Sequence, residues 1–297
     1  MTNKFTKAKR SKTFLKIAVT GPSGSGKTYS SLRLARGFVG DSGRIALIDT
    51  ENGSASNYDT LTDFDVLNIE PPFEQTKYIS AINAAVAAKY DALIIDSASH
   101  LWKWVLEYKS KLDKHAPKGS YTNWNEAGQK LEEAINAVLQ SPIHIIFCMR
   151  SKMEYVLEQN EKGKQVPTKV GMSPIMRDGI EYEFTTVFDI GIEGHLAKAS
   201  KDRTGQFTDK VELITEETGR QLRGWHDNAE DAPNDTGQEN WVYVQNKIDE
   251  MMTINRKDPQ ATEDSVCAYF KVHSLKHVTR EQIDNAVEMT KKKYQTV

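Results

Sequence analysis

Gly21-Pro22-Ser23-Gly24-Ser25-Gly26-Lys27-Thr28 decides the fold of this chain. It fits the pattern G-x-x-x-x-G-K-[ST] without a mismatch. Glycines let the backbone curl until several N–H groups face one anion, and the helix that begins there adds its dipole. Lys27 has the reach to meet β- and γ-phosphates, and the Thr28 hydroxyl suits a Mg²⁺ ion. Gly/Ser-rich linkers can match so short a pattern, so the flanks decide. Phe14-Leu15-Lys16-Ile17-Ala18-Val19-Thr20 reads as a strand running into the loop. Thr28 to Phe38 reads as a helix leaving it, with Leu32, Ala35 and Phe38 on one face. Strand, loop and helix together make a phosphate-binding loop, with Gly21 to Thr28 and the adjoining Tyr29 as the expected contacts.

The same grammar continues outward. Arg44–Asp49, Phe64–Ile69, Asp91–Asp96 and Ile143–Met149 are apolar strands. Helices are predicted over Glu74–Tyr90, from about Ser99 to His115 and from about Thr122 to Gln140. Continuous apolar strands separated by helices argue a mostly parallel sheet covered on both faces. After Met149 the pattern turns antiparallel. Glu154–Glu158 and Lys164–Val170 flank a hairpin turn, and Tyr182–Ile190, Gly194–Ser200 and Val211–Ile214 look like further strands. The expected organisation is a basic arm over 1–12, an α/β core over 13–225, an acidic linker over 226–240 and a small helical region over 241–297. In that last region Thr279 and Gln282 have capping-box spacing.

The totals fit this scheme. A chain of 297 residues with 38% hydrophobic and 9% aromatic content can bury one large α/β core plus an appendage. No apolar run approaches a membrane span and the N-terminus lacks a secretory pattern, so a cytoplasmic protein is expected. Cys148 and Cys267 are the only cysteines, and they read as reduced thiols rather than a disulfide or metal site. The net charge of −2 does not announce a nucleic-acid binder. Lys4, Lys7, Lys9, Arg10, Lys12 and Lys16 nevertheless precede any acid, a tail that is either solvated or phosphate-binding.

Hydrolysis of a bound triphosphate also needs a placed metal and an oriented water. Asp96 ends a central apolar strand, where ligands gather in parallel sheets, and is the candidate to hold Mg²⁺ with Thr28. Asp49 and Glu51, at the tip of the strand after the loop helix, compete for the water-activating role. Arg150 ends the strand Ile143–Met149 and is either a sensor of the γ-phosphate or a surface ion-pair partner. Lys201 and Arg203, around a turn far from the loop in sequence, form either a solvated basic turn or a finger that completes a neighbouring subunit's site.

Asp49-Thr50-Glu51, Leu93-Ile94-Ile95-Asp96-Ser97 and the glycine loop together resemble the RecA-like branch of P-loop ATPases. Met149–Tyr155, Met176–Phe184 and Ala199–Gly205 resemble more closely the phage-encoded RecA-like ATPases with an AAA-type domain, including the single-strand annealing group. The resemblance covers roughly residues 14–225. It implies a RecA-like ATPase core in which Glu51 activates water and Lys201 and Arg203 act in trans. Where recombinases end a strand with a Gln that couples nucleotide to DNA loops, this chain has Met149-Arg150, a departure from the pattern.

The resemblance also implies ATP with Mg²⁺, single-stranded DNA, a ring or filament of identical copies and a single-stranded-DNA-binding protein as partners. Two regions interleave cations with aromatics, and each is either a solvated helix end or hairpin or a grip for a single strand, the reading that the resemblance supports. One holds Lys109, Lys111, Lys114, Lys118 and Tyr121; the other, on the hairpin, holds Tyr155, Lys162, Lys164 and Lys169. Two other functions compete with a DNA-strand ATPase. A small-molecule kinase needs an Arg-rich lid, which the sequence lacks. A non-catalytic nucleotide switch or loader would use the C-terminal helices as an adapter.

Overall fold

The computed structural model describes residues 10, 12–115, 120–159, 165–230, 237–256, 259–272, 275 and 278–294. The chain divides into two units, Met1–Glu230 and Asp231–Val297.

The first unit is built on β1 (Lys16–Gly21), β2 (Ile45–Asp49), β3 (Asp65–Asn68), β4 (Ala92–Asp96), β5 (His144–Gln159), β6 (Gln165–Pro174), β7 (Thr186–Ile190), β8 (Ala197–Asp202) and β9 (Val211–Glu212). Their order is β3-β2-β4-β5-β1-β7-β8-β9, with β6 paired to β5. From β3 to β7 all neighbours are parallel; β8, β9 and β6 are antiparallel additions. This is the α/β fold with a mostly parallel sheet and an antiparallel extension that the alternating pattern predicts. Its strands β1 and β4 are buried at every position, as apolar runs covered on both faces must be.

Among the described residues, the α-helices of this unit are α1 (Lys27–Val39), α2 (Gln75–Ala87), α3 (Ser99–His115), α4 (Ser120–Gln140) and α5 (Glu216–Asp227). Helix α1 buries Leu32, Ala35 and Phe38, the face read from its spacing. It crosses α5 at unusually close range. A Cβ on Gly37 would lie 1.9 Å from the Glu216 carbonyl, and one on Gly219 would lie 2.2 Å from that of Leu34. Helix α5 ends at Asp227, within the stretch expected as a linker over 226–240, of which residues 231–236 lie outside the described residues.

The second unit comprises α6 (Gly237–Asn255), α7 (Pro259–Phe270) and α8 (Arg280–Tyr294). Val244, Ile248, Val266, Ile283 and Val287 form its buried centre. Before α8, the Thr279 N–H donates to Gln282 Oε1 at 2.8 Å and the Gln282 N–H donates to Thr279 Oγ1 at 3.2 Å, the reciprocal cap predicted from spacing. Among the described residues no helix is long and apolar enough to cross a membrane.

Candidate active site

The loop Gly21–Lys27 leaves β1 at the C-terminal edge of the sheet. Gly21 has no room for a side chain: a Cβ would sit 2.3 Å from Ser25 Oγ and 2.9 Å from the Ile190 carbonyl. Gly24 and Gly26 take φ values of 79° and 87°, which a side chain would strain. Lys27 is buried and donates from Nζ to the Pro22 carbonyl at 2.9 Å, across the mouth of the loop. Tyr29, one residue past Thr28, is 42% exposed, packs edge-on against Tyr58 and lies under the Arg33 guanidinium.

Thr28 Oγ1 donates to Asp96 Oδ2 at 2.5 Å. Asp96 is 4% exposed, and its Oδ1, like Ser25 Oγ, has no hydrogen-bond partner among the described residues. Burial pushes the Asp96 carboxyl up to about 6, against the Thr28 hydrogen bond, and the Glu51 charge adds to the rise. A buried carboxylate oxygen left open is costly unless something binds it. One carboxylate and one hydroxyl beside a phosphate cradle form the hard oxygen donor set that Mg²⁺ prefers, so these residues fit that ion. No group of three or more His, Cys, Asp or Glu among the described residues is arranged to hold a metal.

Asp49 and Glu51 separate cleanly. The Asp49 carboxylate accepts from the N–H groups of Glu51 and Ala55, bracing the loop after β2. Glu51 instead turns toward the next strands, where its Oε1 accepts from Arg150 Nε at 2.9 Å and Nη2 at 2.8 Å. Arg150 stands beside Gly21 in the β1/β5 register, and its N–H donates to Ser99 Oγ at 2.9 Å. The edge predicted for Arg150 is the one it occupies, with Glu51 as its partner.

Other groups enter the site without having been read from the sequence. Ser97 N–H donates to Thr50 Oγ1 at 2.8 Å, and Thr50 Oγ1 lies 2.7 Å from His100 Nδ1. His100 stacks on Phe73, and burial, with Arg150 nearby, holds its imidazole below the usual range. The run Ser97-Ala98-Ser99-His100 directly after Asp96 was the available signal. His195 also touches the phosphate loop, at the Ser25 carbonyl, and no motif points to it.

Lys201 and Arg203 are not brought to this chain's own cradle. Asp202 pairs with Thr186, which pairs with Ile17, so their turn begins toward the N-terminal edge of the sheet. There Lys201 Nζ donates to the carbonyls of Glu181 and Tyr182, and Arg203 Nη2 to that of Tyr182.

The first DNA candidate lies on the α3–α4 hairpin. Lys109 pairs with Asp113 and sits 5.1 Å over the Trp124 ring, Tyr121 is 80% exposed, and Lys111 and Lys114 share the same helix. Lys118, Lys162 and Lys164 lie outside the described residues, as do the side chains of Tyr155 and Lys169. Both cysteines are free thiols, and Cys148 is buried against Ser31 Oγ at 3.2 Å.

A family model described as an AAA domain matches residues 13–220. No curated protein matches the chain. The matched segment opens on the strand that feeds the phosphate loop and takes in Asp96, Glu51 and Arg150. The chain therefore belongs to the AAA-domain family of P-loop ATPases.

Proposed function

We propose that this protein hydrolyses ATP at the loop Gly21–Thr28 and uses the cycle to grip and release single-stranded DNA in recombination or strand annealing. The observation that carries the hydrolytic part is the Asp96 carboxylate. It is buried, bonded on one oxygen to Thr28 and open on the other, beside the cradle. Mg²⁺, when bound, would neutralise charge on the phosphates. Thr28 and Asp96 would hold that ion, Lys27 would exchange the Pro22 carbonyl for phosphate oxygens, and the loop amides would orient the chain of phosphates. Glu51, once off Arg150, accepts the proton of the attacking water.

The DNA reading is supported by the resemblance to annealing ATPases and by the cations and aromatics of α3–α4. In this reading the protein works as a ring or filament of copies, with Lys201 and Arg203 reaching the neighbour's nucleotide. It acts beside a single-stranded-DNA-binding protein in the cytoplasm of a phage-infected cell. One observation favours a slower machine, a nucleotide switch or loader: the carboxylate that would activate water is occupied by Arg150.

The test is ATP turnover with and without single-stranded DNA, for the native chain and Lys27→Ala. The expected result is turnover that DNA raises and that Lys27→Ala removes. Turnover indifferent to DNA removes the strand-handling role. Absent turnover with tight nucleotide-dependent partner binding selects the switch.

A further inference from the structure

The turn between β7 and β8 reaches the phosphate loop because β7 pairs with β1, Asp189 beside Thr20, so that residues 191–196 emerge next to residues 21–26. The Asp189 carboxylate accepts from the Thr20 hydroxyl, and Gly191 N–H donates to the Leu196 carbonyl at 2.9 Å, closing the turn. At its tip Gly194 and His195 both take positive φ, 63° and 53°. For a residue other than glycine that conformation persists where the surroundings over-determine it, and it often marks a functional position. Here the surroundings are the phosphate loop. His195 Nδ1 lies 3.0 Å from the Ser25 carbonyl oxygen and 3.5 Å from where a Cβ of Gly26 would be. A carbonyl oxygen only accepts, so Nδ1 carries the proton and donates.

This contact falls on a peptide unit with a second job. The Ser25 carbonyl and the Gly26 N–H belong to one planar trans peptide, in which C=O and N–H point in opposite directions. A donor that holds the carbonyl outward holds the N–H inward, toward the cradle. The same hydrogen bond polarises the amide and strengthens it as an anion donor. Glycine at both 24 and 26 makes this segment of the loop the easiest to rotate, so an external tie has the most to fix here.

We propose that His195 is a positioning residue of the phosphate site, orienting the Ser25–Gly26 peptide so that the Gly26 amide meets the bound triphosphate. The inference rests on the reading of the loop as an ATP site, and names a group outside the motif that sets its affinity.

The side chains that test it follow from atom positions. Asn Nδ2 occupies the place of His Nδ1 and tolerates positive φ. Gly removes the donor without backbone strain, and Gln places its donor one bond too far. ATP binding is titrated with Mg²⁺ by calorimetry for the native chain, His195→Gly, His195→Gln, His195→Asn and Lys27→Ala, with a urea unfolding curve for each. The expected result is a loss of about tenfold in affinity for the Gly and Gln variants, from one missing hydrogen bond to a polarised amide. His195→Asn stays within about twofold of the native chain, and the unfolding midpoints are unchanged. Where turnover is measured, KM rises with the loss and kcat holds. Native affinity in His195→Gly, or loss in His195→Asn equal to that in His195→Gly, overturns the proposal. If Lys27→Ala also binds ATP normally, the ATP-site reading itself fails, a different result from the failure of His195 alone.

Discussion

The two ends of the central strands bury polar groups in opposite ways. At the N-terminal edge, Lys16 is 5% exposed, yet its ammonium reaches the Ser141 carbonyl, the Ser141 hydroxyl and the Ile143 carbonyl at 2.6–3.0 Å. His144 beside it accepts the Leu15 N–H at 3.0 Å and is walled by Phe14, Phe38 and His226. At the C-terminal edge, Asp96 is equally buried and keeps one oxygen open among the described residues, while the Glu51 carboxylate pairs with a half-exposed Arg150. One edge is satisfied by its own chain. The other keeps a buried carboxylate oxygen open. Buried polar groups that are fully satisfied specify the fold; one left open beside a phosphate loop is what a ligand there could satisfy.

The largest effect that tests this contrast is expected from Glu51→Gln. The amide keeps the shape and loses the basicity, so kcat for ATP should fall by about 100- to 10,000-fold, the usual worth of a positioned base. ATP affinity and the unfolding midpoint should hold, because the pair with Arg150 is partly exposed and such pairs contribute less than about 1 kcal/mol. A variant that hydrolyses normally would mean that the open edge does not perform its chemistry through Glu51.

At the open edge the individual strand tips were legible in the sequence, and the contacts between them were not. The loop Gly21–Thr28 and the tips Asp49 and Asp96 follow from motif and apolar runs, because a buried parallel strand shows where it stops. The Thr279–Gln282 cap was equally plain, because both partners lie within one turn. The meeting of Arg150 with Glu51 was not, since 99 residues separate them and their approach depends on the sheet order β2-β4-β5. His195 reaches Ser25 across 170 residues for the same reason. Strand β5 was expected to break after Met149. It continues to Gln159, because past Arg150 it leaves β1 and pairs with β6.

The closed edge is tested by acid. Burial, with His226 and Lys16 adding to it, drives the His144 imidazole from 6.5 down to about 3. The folded state therefore binds fewer protons than the unfolded chain between those values, and stability is lost as pH falls through that window. By about pH 4.5 the His144 contribution lost is on the order of 3 kcal/mol. Protonation also removes the acceptor of the Leu15 N–H. His144→Asn keeps an acceptor at the Nδ1 position and cannot charge. Urea midpoints from about pH 7 to about pH 4.5 should fall less steeply for the Asn variant by roughly that amount, with ATP turnover at neutral pH unchanged. Parallel curves for the two proteins would mean that His144 is not held neutral by its edge.

The smallest expected effect decides what Arg150 does at the open edge. It holds Glu51 by two hydrogen bonds to one oxygen, while its own backbone is fixed to Ser99 and to the β1 register. In that geometry the guanidinium occupies the carboxylate that the proposed mechanism assigns to water activation, so on that proposal its removal should free the base. The pair is 40% and 27% exposed on its two sides, which limits its strength to about 1 kcal/mol and the gain to about two- to fivefold in DNA-free turnover for Arg150→Ala. Arg150→Lys, which keeps the charge without the fork, should fall between. A drop in turnover instead would place Arg150 on the transferring phosphate, where loss of a cation weakens the transition state. The double variant with Glu51→Gln separates the two outcomes. A residue that acts only by restraining Glu51 adds nothing once that carboxylate is gone, whereas a phosphate-binding arginine still lowers the rate.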